Sequence, residues 1–183
     1  MAKGYLLILI GAIASATILF PLPFELMFWW SRMTFLGYLM ISLGMRFIIG
    51  TDEELKRAQL FVFITLAIQM LLSFNIARTG MFSLALNILY VFSSLCIFFW
   101  LLKSEYMWSP NSSKKTDLTM YSVIAIMYLA LRVMLMLPVS RIINLPLLLV
   151  LVDVLRFLNI LYYGILLFIL VKLYMVARKS LWN

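Results

Sequence analysis

Arginines set among tyrosine and asparagine on helical faces are the chemical feature of this sequence. At 100° per residue, Tyr121, Ala125, Tyr128 and Arg132 fall on one face. Ser83, Asn87, Tyr90 and Ser94 fall on another, and Asp153, Arg156, Asn159 and Tyr163 span about a third of a third helix. A guanidinium offers a rigid fork of donors to carboxylate or phosphate, and tyrosine and asparagine add neutral hydrogen bonds. That set recognises an anion. Arg132, Arg156, Asp153, Asn159, Tyr163, Tyr128, Asn87 and Tyr90 are therefore the candidate ligand-binding residues.

The same inventory argues against catalysis. Histidine is absent, which removes the commonest general base and the usual zinc and haem ligands. Cys96 is the single cysteine, so neither a disulfide nor a thiolate metal site is expected. Glu53-Glu54 with Arg57 is similar to the paired glutamates of CAAX-type intramembrane proteases, but the histidines of that site have no counterpart. No nucleophile elbow, P-loop or C-x-x-C motif occurs. The expectation is a non-enzyme without cofactor or metal.

The elements that hold these residues must be membrane helices. Two-thirds of the chain is hydrophobic and 12% charged, too apolar for a soluble core of this size. Apolar runs predict six spans at about 5–22, 33–50, 56–76, 81–103, 118–137 and 148–175. The start imitates a signal peptide with Ala14-Ser15-Ala16 as cleavage site, but reads better as the first span. Gly50 stops the second helix, and Thr51 with Glu54 forms a capping box for the third. Phe24, Phe28, Trp29 and Trp30 look like an aromatic belt on a short interfacial helix.

Cutting the chain this way divides its cations. Lys3, Arg46, Lys56, Arg57, Lys103, Lys114, Lys115, Lys172, Arg178 and Lys179 fall on one side, with every lysine among them. Arg32, Arg78, Arg132, Arg141 and Arg156 fall on the other, with Glu25 and Asp153 as the acids there. The positive-inside rule makes the lysine side cytoplasmic, with both termini. The net charge of +8 then reflects topology and anionic lipid, not nucleic acid. Arg32, Arg78 and Arg141 close the outer hairpin ends and are expected to hold lipid headgroups.

Internal similarity suggests three helical hairpins. Leu86-Asn87-Ile88-Leu89-Tyr90 recurs as Leu158-Asn159-Ile160-Leu161-Tyr162, and residues 66–78 align with 129–141. The first hairpin matches only in outline, through Phe35-Leu36-Gly37-Tyr38. The two offsets differ by nine residues near Leu145–Asp153, so the depth of Asp153 and Arg156 turns on where the sixth helix begins. Small residues at Gly4, Gly11 and Ser15, and polar ones at Thr65, Gln69 and Ser73, read as helix-packing stripes.

Ala12-x-x-x-Ala16 has the small-residue spacing that docks a partner helix. In size and span count the chain is similar to the substrate-capture subunits of energy-coupling-factor importers, a similarity of architecture. The surplus of outer arginines over carboxylates, among tyrosine and asparagine, points to a protein that binds or transports a small anionic solute or lipid headgroup through an outward-facing cavity, with membrane lipids and a partner subunit or second copy as its partners. The alternative is a non-transporting scaffold, assembly or sensor subunit of a larger membrane complex.

Overall fold

The computed structural model describes residues 2–16, 24–48, 52–73, 81–108, 110–136 and 145–179, without the side chains of 24–32, 73, 81, 108 and 136. These residues form six helices: α1 (Ala2–Ser15), α2 (Phe24–Ile48), α3 (Glu53–Ser73), α4 (Met81–Trp108), α5 (Ser112–Met136) and α6 (Leu145–Lys179). The described chain is all-helical. α3, α4, α5 and α6 are long and apolar enough to cross a membrane, whereas Ala2–Ser15 and the apolar part of α2, Met33–Ile48, are shorter.

Three helix ends differ from expectation. Phe24–Trp30 are the opening turns of α2, not a separate interfacial helix. The cap of α3 is Asp52 rather than Thr51, which lies outside the described residues. Asp52 Oδ1 accepts the Glu54 N–H at 3.0 Å, as good an N-cap as threonine, and the Ser104 hydroxyl donates to Oδ2. Glu54 pairs with Lys103 of α4. Finally, α6 runs unbroken from Leu145, with Pro146 in its first turn where a missing N–H costs nothing. The nine-residue offset is thus helix, not a separate segment.

Each helix packs on its chain neighbours, and α6 returns to α1 to close a ring. The α1–α2 pair is the closest. Gly4 faces Gly44, and Gly11 faces Gly37, seven residues apart on antiparallel helices. A Cβ on Gly11 would stand 2.5 Å from the Gly37 carbonyl, and one on Gly37 2.7 Å from that of Gly11. Backbone meets backbone there, and no side chain can move aside. Across α3–α4, the Thr65 hydroxyl donates to Ser93 at 2.8 Å with both residues buried.

One end of the ring is tied by charge. Glu54 pairs with Lys103 at 3.1 Å, Glu105 with Lys114 at 3.3 Å, and Asp117 with Lys172 at 2.6 Å. The Lys103 ammonium and the Arg57 guanidinium also lie 4.5 and 4.9 Å from the Trp100 ring centre. These contacts join α3 to α4, α4 to α5, and α5 to α6 at a common level.

Candidate binding site

Six of the nine tyrosines gather inside the ring, away from the ion-paired end. Tyr128 and Tyr162 stack at 5.6 Å with planes 6° apart, joining α5 to α6. Tyr121 donates its hydroxyl to the Leu95 carbonyl of α4 at 2.9 Å. Its only proton is then committed, so Tyr162 is the donor in the 3.0 Å bond between the two hydroxyls. Tyr163 packs edge-on to Tyr162 and reaches the Ser15 carbonyl of α1 at 3.5 Å. Tyr38 of α2 and Tyr90 of α4 meet edge-to-face at 6.1 Å. Five helices therefore converge on one aromatic, hydroxyl-bearing cluster.

Arg132 stands at the edge of it. One turn beyond Tyr128 on α5, its guanidinium donates to the Tyr128 hydroxyl and lies 5.7 Å from that ring's centre. The side chain is half-buried, and among the described residues no carboxylate comes within salt-bridge distance of it. On the facing helix, Asn159 is buried with its side-chain oxygen unpartnered. Tyr128, Tyr163, Tyr90, Arg132 and Asn159 are thus brought together in the ring.

The remaining candidates separate from this group. Asp153 and Arg156 pair with each other at 3.1 Å, but their side chains are 72% and 58% exposed. The buried face of α6 runs through Asn159, Tyr162, Leu166 and Leu173. By helical rotation Asp153 lies on the far side of the helix from that face, and Arg156 on its flank. Asn87 turns to its own helix, its amide donating to the Ser83 carbonyl at 2.8 Å. Arg78 and Arg141 lie outside the described residues, as does the side chain of Arg32.

Tyr162 and Tyr38 are the residues that polar-stripe reasoning passed over. Both had a signal in the sequence. Tyr162 closes the repeated Leu-Asn-Ile-Leu-Tyr segment, in the place that Tyr90 holds in the first copy, and Tyr38 closes its outline match on α2. Tyr162 falls outside the arc that Asp153, Arg156, Asn159 and Tyr163 span, and Tyr38 stands on a helix with no polar stripe of that kind.

No family model, curated protein or solved structure matches this chain. What the site does must come from its own chemistry.

Proposed function

We propose that this chain is a six-span integral membrane protein of the plasma membrane that binds or transports a small anion, solute or lipid headgroup, at Arg132. The observation that carries this reading is a half-buried guanidinium that meets a tyrosine hydroxyl and ring but no carboxylate among the described residues. A charge held in a membrane costs about 3 kcal/mol or more and is retained where it pairs or serves a site. The missing partner is the ligand's negative group.

Depth supports the same assignment. Counting about 1.5 Å per residue outward from the ion-paired level, Arg132 lies about 22 Å from Asp117 and Asn159 about 20 Å from Lys172. In a hydrocarbon core about 30 Å thick that is the outer half. Asp153 and Arg156, about 24–28 Å from Lys172, lie at the outer boundary, where exposure of an ion pair costs little. Both termini are cytoplasmic, on the side of the lysines. Tyr38, Tyr90 and Tyr162 enter the cluster from α2, α4 and α6, the second helix of each hairpin, which favours a reading as three repeats.

Native mass spectrometry of the gently solubilised protein tests the reading. A stoichiometric anion retained by the wild type and lost from Arg132→Ala is the expected result; its absence from both overturns it. A cysteine at Ser112, in a background with Cys96→Ala, should be silent to impermeant labels outside intact cells.

A second reading, a non-transporting scaffold, assembly or sensor subunit, draws on one feature. Leu145–Val152 extends beyond the outer boundary as helix, with Leu145, Leu147, Leu149 and Val150 exposed. Co-purification of a membrane protein without a small ligand would favour it.

A further inference from the structure

The site has a second half. Arg132 lies four residues beyond Tyr128 on α5, and Asn159 three residues before Tyr162 on the antiparallel α6. Because Tyr128 and Tyr162 stack, the guanidinium and the carboxamide stand at one level, each about one turn past the same aromatic pair. Asn159 is 3% exposed, and its Oδ1 has no hydrogen-bond partner. Asn87, in the corresponding place of the repeated segment, is only part-buried and uses its amide N–H as a donor to Ser83. A buried acceptor left unmade is costly in an apolar surrounding, and a packing role would have used it.

We infer, on the anion-binding reading above, that the ligand carries an O–H or N–H donor beside its negative group. Arg132 takes the phosphate or carboxylate, and Asn159 Oδ1 accepts the donor. The ligand class is a hydroxylated organic anion, met either as a free solute or as the headgroup of a lipid. A plain phosphate or simple carboxylate fills only half of the site.

Matched probes test this in the intact protein, held in nanodiscs of phosphatidylcholine. Glycerol phosphate is compared with propyl phosphate, and phosphatidylglycerol with phosphatidylpropanol. Each pair differs only in the hydroxyls. The expected result is a preference of about tenfold or more for the hydroxylated member of one pair. Which pair shows it tells the soluble source from the lipid one. Asn159→Leu should bring that ratio to about one and should not lower the melting temperature of the empty protein.

Equal binding of both members of each pair by the wild type overturns the inference and leaves anion binding standing, and that comparison needs no variant. A preference that survives in Asn159→Leu also overturns it. If no probe binds in an Arg132-dependent way, both the inference and the anion site fall.

Discussion

The first and last hairpins solve opposite problems with the same helical material. α1 and α2 meet through glycine backbones, and the contact is so close that a single Cβ has nowhere to go. α5 and α6 are held apart by stacked tyrosine rings whose hydroxyls must find partners. A lipid-facing helix pair gains nothing from hydrophobic burial, so close backbone packing is what holds the first hairpin. In the last, large rings with polar tips bring hydrogen-bonding capacity inside the ring. The first hairpin is closely packed backbone, and the last holds the tyrosine cluster beside Arg132.

That contrast breaks most visibly at Gly37. Gly37→Leu should cost about 3 kcal/mol or more, because the atoms it meets are backbone of α1. Its control is Gly164→Leu on α6, where nothing lies within 4 Å of the added Cβ, and melting temperatures of the two in one detergent should differ sharply. Near-equal melting temperatures would mean that α1 and α2 do not pack as described.

Next in size is the loss of the tyrosine bridge. Tyr162→Phe keeps the stack with Tyr128 but deletes the donor to Tyr121, costing about 1 kcal/mol in a denaturation series. A comparable effect is expected at the charged end, where Lys172→Ala leaves the half-buried Asp117 without its ammonium. Tyr162→Phe should also weaken anion binding through the lost hydroxyl, whereas Lys172→Ala should not touch it. The smallest effect belongs to Asp153→Asn. Its pair with Arg156 is exposed, so stability should change by about 0–1 kcal/mol and anion binding stay level. A loss of binding there would move the site outward along α6.

Much of this arrangement was legible in the chain. The long apolar runs and their punctuation by proline and glycine predict the helices, since only an internally bonded backbone tolerates such a composition. Arg132, Tyr128 and Asn159 follow from helical spacing alone. Asp153 and Arg156 show where that method stops. A polar stripe a third of a turn wide covers both a buried face and its flank, and only packing against α5 and α1 decides which part turns inward. The glycine pairs show the other limit. Gly4 and Gly11 were visible as a stripe, but their complement at Gly44 and Gly37 appears only once α1 and α2 are docked antiparallel. The α3 cap slipped by one residue because Thr51 and Asp52 are both competent caps, and the Ser104 hydroxyl from α4 favours Asp52.

The central claim is that the charge of Arg132 is balanced by a ligand and not by the protein. Its most direct test is the melting temperature of wild type and Arg132→Leu in phosphatidylcholine nanodiscs, with and without glycerol phosphate or phosphatidylglycerol. Without an anion, Arg132→Leu should be at least as stable as the wild type, because it removes an uncompensated charge. With one of the two anions present, the order should reverse, as binding raises the wild type alone. A variant that melts well below the wild type under every condition, unmoved by either anion, would make Arg132 a structural residue and contradict the account.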